Sequence, residues 1–492
     1  MDDSREAGST TSNARLIGLI LGPLLAGLTL LLGPPPGFSE PAWLTAALTV
    51  LMAVWWMTEA LPLPVTALLP IALLPVLGVA DLGTVAAPYA SPIVFLFLGG
   101  FIIAAAVTRW SLHRRIALTI MGTVGARPDR LVGGVMLASA LLSMWISNTA
   151  TAAMMLPIAL SIITFAETQV AERDPAWARS FTVAILLAIA FGANIGGIGT
   201  LIGTPPNAVM AGFLADSQGI QIGFVDWMAV GVPVAGVLLV VAWWALVRLV
   251  FAVGREPLPG VATFVDRERG NLGALSVAER RLLVVAGLTI AAWLLRPLLE
   301  NLLPGLSLSD AGIAITAAIA LFVVPAGGWR ARPLLVWRDT RGIAWGVLIL
   351  VGGGLSLGTA IENSGLATAI ANLLAGMGGL PLWAMLLVLA GLTMGLSHVT
   401  SNTGTAATLM PVVVGLALSI GQSPLVLAAT VALAASCAFM LPVATPPNAI
   451  VFASERLRVV DMIRGGGVIN AIAVVVVVLA AWLLVPLVLG SP

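Results

Sequence analysis

The chain has 492 residues, of which 59% are apolar and 9% charged, against about 45–50% and about 25% in an ordinary soluble domain; a water-soluble globule is excluded. Twenty-three basic and twenty-two acidic residues leave a formal net charge of +1, so there is no basic field for nucleic acid and the lipid bilayer is the expected solvent. A single cysteine, Cys437, excludes an internal disulfide framework and a cysteine metal site.

Residues 1–15 are polar and bear acids, and no signal-peptide cleavage pattern clearly follows, so the apolar run 16–32 reads as a retained first span. Every basic residue is arginine, and the arginines cluster between apolar runs. Arg109, Arg114, Arg115, Arg127 and Arg130 form one group; Arg255, Arg267, Arg269, Arg280 and Arg281 a second; Arg330, Arg332, Arg338 and Arg341 a third; Arg456, Arg458 and Arg464 a fourth. The positive-inside bias puts these groups in the cytoplasm, and the arginine-free connections near 34–41, 216–226, 301–310 and 362–381 outside. Counting between them gives eleven crossings, with the N-terminus cytoplasmic and the C-terminus outside. Trp43, Trp227, Trp329 and Trp337 are expected as interfacial anchors.

The chain also resembles itself. Gly99-Gly100 recurs as Gly353-Gly354, Leu112 as Leu366, and Ser147-Asn148-Thr149 as Ser401-Asn402-Thr403, each 254 positions later; Thr204-Pro205-Pro206-Asn207 recurs as Thr445-Pro446-Pro447-Asn448, 241 positions later. Residues 109–130 hold five arginines, whereas 363–384 hold no charged residue, so equivalent segments belong on opposite sides. Like sequence with opposite charge bias predicts two inverted-topology repeats around a site near the midplane. The expected fold is all-α and integral to the membrane. It divides into 1–41 (tail and first span), 42–254 (first repeat), 255–281 (cytoplasmic linker) and 282–492 (second repeat).

Ser-Asn-Thr lies mid-way along apolar stretches whose flanking loops fall on one side, which predicts re-entrant hairpins over 131–165 and 382–420. Adjacent prolines remove amide donors and clash with a preceding turn. Thr-Pro-Pro-Asn therefore predicts broken helices over 181–214 and 424–454, interrupted at the motifs themselves. Half-helix N-termini suit an anion, and freed carbonyls a small cation. With no arginine beside the motifs, bound cations become the natural counter-charge. Importing a dianion against −100 mV costs ~4.6 kcal/mol, whereas three sodium ions would make the potential helpful and two would neutralise it. The absence of an acid beside the motifs disfavours a carboxylate proton relay.

These motifs, with Thr58-Glu59-Ala60-Leu61-Pro62 and the run from Ser436 to Val451 that holds the second Thr-Pro-Pro-Asn, resemble the divalent anion/sodium symporter family over nearly the whole chain. The resemblance implies a homodimer in which scaffold domains hold transport domains that move as elevators. It implies a di- or tricarboxylate held by Asn148, Thr149, Thr204, Pro205, Asn402, Thr403, Thr445 and Pro446. It implies Na+ as coupling ion, one site formed by Ser143, Ser147, Asn148 and Gly203 and another by Ser397, Thr400, Asn402 and Ala444. One departure is His398 beside Ser397, where carboxylate-carrying relatives often have an acid; a hydrogen-bonded structural histidine, a pH-sensitive element and an altered ion coupling are the readings it leaves open. Glu59 is expected as a cap or interface residue. An enzyme is not expected, since no histidine–serine, aspartate-pair or metal cluster falls in the spans. The alternative within transport is a sodium-independent dicarboxylate exchanger or a sulfate carrier.

Overall fold

A computed structural model describes residues 13–490, apart from 171–173, 303–304, 306–307, 329 and 375–379. The tail 1–12, Trp329 and parts of the 301–310 and 362–381 connections thus lie outside the described residues. The described chain is helical, with one isolated bridge between Pro325 and Pro333 in place of any sheet. Nine described helices are long and apolar enough to cross a bilayer, and a tenth span is possible if Val277–Leu294 and Arg296–Leu302, bent by 70° at Leu295, count as one. Asp310–Val323, Leu382–Ser397 and Pro424–Ala435 are apolar but shorter.

The helices preceding the two Thr-Pro-Pro-Asn motifs form the core. Pro175–Ile198 is wholly buried along its apolar window, and so is every residue of Pro424–Ala435. A helix apolar on all sides belongs inside the molecule rather than at its edge. The first helix, by contrast, turns Leu16, Ile20, Leu24 and Leu31 outward. Glycines set the closest approaches: a Cβ at Gly196 would overlap the Ala140 carbonyl, and one at Gly192 would sit 2.5 Å from the Met136 carbonyl. Backbones can touch there only because the side chain is missing.

The self-similar segments pack reciprocally. Gly99, in helix Pro92–Arg109, lies against the backbone of Ala314 in Asp310–Val323, while Gly353, in helix Trp345–Asn363, lies against Ala67 after the short helix Leu63–Thr66. Each half thus seats its double glycine on an element of the other. Trp227 departs from expectation. It is fully buried and donates from Nε1 to the Ile198 carbonyl at 3.0 Å, because its ring closes the end of the first core helix instead of facing headgroups. Trp337 is exposed.

Candidate functional site

Both Ser-Asn-Thr motifs are helix starts. Helix Pro128–Ser143 ends in a turn and helix Asn148–Val170 begins; Leu382–Ser397 and Asn402–Ser419 repeat the arrangement. The serine caps the new helix in each: Ser147 Oγ accepts from the Ala150 amide at 3.3 Å, and Ser401 Oγ from the Gly404 amide at 2.9 Å. A serine cap satisfies one of four orphan donors. The backbone N–H groups of Asn148, Thr149, Asn402 and Thr403 have no backbone or side-chain acceptor among the described residues, and they remain available at the helix tip.

The Thr-Pro-Pro-Asn motifs also start helices, Pro205–Gln218 and Pro446–Phe452, with Thr204 and Thr445 as N-caps. The interruptions expected at the motifs lie instead just before them, at 199–204 and 436–445. The reason is that proline is tolerated in a first helical turn, where its missing N–H is an orphan anyway. The motif asparagine then reaches backward. Asn207 Nδ2 donates to the carbonyls of Gly197 (3.3 Å), Ile198 (3.2 Å) and Thr200 (2.8 Å), and Asn448 Nδ2 to those of Ala438 (3.3 Å) and Leu441 (2.9 Å). Ala438 and Leu441 stand 241 positions after Gly197 and Thr200, the offset of the motifs themselves. Both breaks are therefore closed in the same way.

Four helix starts meet at one cavity of about 730 Å³. Its wall includes Asn148, Thr149, Thr204, Pro205, Asn402, Thr403, Thr445 and Pro446, together with Ser147, Gly203 and Ala444. Ser143, Ser397 and Thr400 stand behind that wall and are buried. On the first side the Asn148 amide oxygen faces three other oxygens, Ser143 Oγ at 2.6 Å, the Gly203 carbonyl at 3.1 Å and the Ala193 carbonyl at 3.2 Å; turning the amide over makes its nitrogen a donor to all three. As the amide stands the Ser143 hydroxyl donates to it; in either orientation the hydroxyl, amide and carbonyl oxygens gathered here are the donor types that a sodium ion takes. On the second side Ser397 Oγ and Asn402 Oδ1 are buried without a partner, and Ala444 ends a short 3₁₀ turn at the break. These orphan oxygens fit a second cation in the same way. Thr400 Oγ1 is already engaged, 3.0 Å from the Leu396 carbonyl and 2.6 Å from Thr405 Oγ1.

Three residues at or beside the cavity escaped the sequence reading of the site or were placed elsewhere by it. Asn194, fully buried, donates from Nδ2 to Thr445 Oγ1 at 2.9 Å and so ties the first core helix to the second break; its only signal was an amide in an apolar helix just before Ile195-Gly196-Gly197. Glu59, the left-handed C-cap of Glu40–Thr58, lies in the cavity wall, so an acid does stand near the motifs, brought there from 89 positions before Asn148. His398 stands behind the wall. Its Nδ1 is 2.7 Å from the Met394 carbonyl and its Nε2 accepts from the Met440 amide at 3.3 Å. Both ring nitrogens thus have partners, with the proton on Nδ1.

A multi-pass helical membrane protein with paired helix breaks around one central cavity has the build of a secondary transporter and not of an enzyme. The chain belongs to the family described as "Sodium:sulfate symporter transmembrane region", whose model matches residues 13–489. Among its relatives are the "Sodium-dependent dicarboxylate transporter SdcS" of Staphylococcus saprophyticus, 40% identical over 97% of this chain and 92% of the relative, and the protein of that name from Staphylococcus aureus MRSA252, 39% identical over 97% and 93%. Among solved structures, that of Neisseria gonorrhoeae MtrF, titled as one of a class of antimetabolite efflux pumps, aligns at a TM-score of 0.55 over 92% of this chain and 97% of its own, with 13% identity. That likeness is one of fold alone.

Proposed function

We propose that the protein imports small dicarboxylates together with sodium ions. The observation that carries this reading is the meeting of both Ser-Asn-Thr starts and both Thr-Pro-Pro-Asn starts in one cavity, with amides of lining residues left without acceptors and with unpartnered oxygens at Ser397 and Asn402. Amides and threonine hydroxyls at 148–149 and 402–403 hold the two carboxylates. Ser143, Ser147, Asn148 and Gly203 hold one sodium ion, and Ser397, Thr400, Asn402 and Ala444 another; sodium supplies the positive charge that the wall lacks. The relatives named for sodium-dependent dicarboxylate transport support the choice of both solutes.

The same proposal includes eleven crossings in two inverted repeats, an N-terminus in the cytoplasm and a C-terminus outside. The helix pairs 128–170 and 382–419 are re-entrant hairpins entering from opposite faces, and they travel with the broken helices as an elevator against the scaffold of a homodimer. Reciprocal seating of Gly99 and Gly353 supports the two-fold relation.

The test is uptake of radiolabelled succinate into proteoliposomes, with and without an inward sodium gradient, for wild type, Asn148→Ala and Asn402→Ala. Sodium-driven uptake by wild type and its loss in both variants is the expected result. Intact uptake by both variants overturns the site; equal uptake without sodium overturns the coupling; competition by sulfate but not by malate overturns the substrate class.

A further inference from the structure

Away from the cavity, three arginines converge on one buried carboxylate. Asp129, 2% exposed at the start of helix Pro128–Ser143, accepts from Arg127 through both oxygens (3.2 and 2.8 Å) and from Arg248 Nη2 at 3.2 Å. Arg255 stands next to it, its Nε at 3.7 Å. The Arg130 amide takes a further lone pair at 2.9 Å. Three guanidinium groups against one carboxylate leave two positive charges uncompensated.

Donors are in excess as well. A guanidinium carries five N–H bonds, yet among the described residues Arg248 makes a single hydrogen bond, to Asp129, and Arg255 makes none. Arg255 is followed by Glu256, and Arg130, exposed, follows Asp129 on its own helix; these two cancel and leave the excess unchanged. The framework is fixed by indoles: Trp243 Nε1 donates to the Asp129 carbonyl at 2.8 Å, and Trp177 Nε1 to the Val253 carbonyl at 2.6 Å, which holds the turn before Arg255.

The helix that brings Arg248 here leaves an apolar face uncovered. Val237, Val240 and Trp244 are 50%, 63% and 50% exposed, and with Arg248 they follow at steps of three and four residues, which places them on one face of a helix. That face runs as an apolar strip up to the arginines and stops there. A strip of acyl-chain length ending in surplus positive charge at an aromatic-rich boundary matches an anionic phospholipid, chains along the strip and phosphate between Arg248 and Arg255. We infer that the Arg127–Arg248–Arg255 cluster around Asp129 is a binding site for one anionic phospholipid headgroup. A free phosphate would use the charge but leave the apolar strip unmatched, so lipid is the ligand.

Native mass spectrometry of the full-length protein, in micelles holding equal amounts of phosphatidylglycerol and phosphatidylcholine, tests this. Wild type retains one phosphatidylglycerol per chain in preference to phosphatidylcholine. Arg255→Gln, which breaks no hydrogen bond, and Arg248→Gln each lower that retention about fivefold. Arg338→Gln, at an exposed basic residue of the third arginine group, leaves it unchanged. Equal retention of the two lipids, wild-type retention in Arg255→Gln, or displacement of phosphatidylglycerol by millimolar inorganic phosphate overturns the assignment. The readout is lipid binding, so it stands apart from the transport reading.

Discussion

Asn207 closes the first helix break, and its removal is the sharpest test of how the cavity is built. Its side chain is fully buried and offers two N–H bonds to three carbonyls, at Gly197, Ile198 and Thr200. Gly197 and Ile198 belong to the last turn of Pro175–Ile198, whose carbonyls have no partner within the helix. Asn207→Asp keeps the shape, removes both donors and points a carboxylate at those carbonyls. Ile198 keeps its bond from Trp227 Nε1 (3.0 Å) and Thr200 one from the Gly203 amide (3.4 Å), so the Gly197 carbonyl is the acceptor left bare, and the loss is about 1–3 kcal/mol before the repulsion of the new carboxylate is added. Such a loss lowers a thermal midpoint by about 2–4 °C per kcal/mol in a 150–250-residue unit, and by less in a larger one. Gly203 and Thr204, on the segment that Asn207 holds, line the cavity, so succinate uptake should fall with the midpoint. Thermal unfolding of the purified protein, followed by sodium-driven uptake in liposomes, gives both readings. Wild-type midpoint and uptake in Asn207→Asp would refute the idea that the motif asparagine is a cap; Asn448→Asp should repeat the effect at the second break.

Gly196→Ala forces a methyl into the Ala140 carbonyl; the overpacking, ~1–3 kcal/mol or more because the obstacle is backbone, should appear as reduced yield of folded protein by size-exclusion chromatography. Asn194→Leu removes the bond to Thr445 Oγ1 and should cost about 1 kcal/mol while raising the concentration of succinate needed for half-maximal uptake, measured by initial rates. Burial, with Arg114 adding to it, holds His113 below its usual imidazole range. The unfolded chain therefore binds more protons than the folded one at pH below about 6.5, and stability falls there as pH drops; a thermal series from pH 7.5 to 5.5 should show the fall in wild type and a smaller one in His113→Gln.

The site was legible because its chemistry repeats in the sequence. Ser147-Asn148-Thr149 and Thr204-Pro205 recur at fixed offsets, and polar tripeptides inside apolar runs need a polar destination. Exact breakpoints were not legible: prolines announce a disturbed backbone, but whether they end one helix or begin the next depends on what satisfies the freed carbonyls, and here that is the distant side-chain amide of Asn207 or Asn448. Asn194 was missed, and Glu59 was read as a cap, which it is, without its place in the cavity wall, for a related reason. Each occurs once, without a partner at the repeat offset, and reaches the cavity only through tertiary packing. Trp227 shows the opposite error: an indole near a helix end has the same composition signal whether it faces headgroups or closes a core helix, and only its bond to Ile198 distinguishes them.

In the proposed site the two motif types would divide the work of holding an anion. A Pro-Pro pair at N1 and N2 deletes two of the amides that a helix start would offer, so Pro205–Gln218 and Pro446–Phe452 bring threonine hydroxyls to the cavity, of which Thr445 alone caps its helix, but few N–H groups. Asn148–Val170 and Asn402–Ser419 keep theirs, which is what the proposed anion site would use. Each full helix start carries about half a positive charge, fixed in place by the fold before any solute arrives. An arginine at the same position would offer a whole charge, but in the unloaded cavity it would stand as an uncompensated buried cation, and removing the partner of such a charge costs about 3–5 kcal/mol. Fixed dipoles bear no comparable cost when the carboxylate leaves. A carrier must release its solute as readily as it takes it up, and that requirement favours neutral helix starts, with a mobile ion supplying the remaining charge and departing with the cargo.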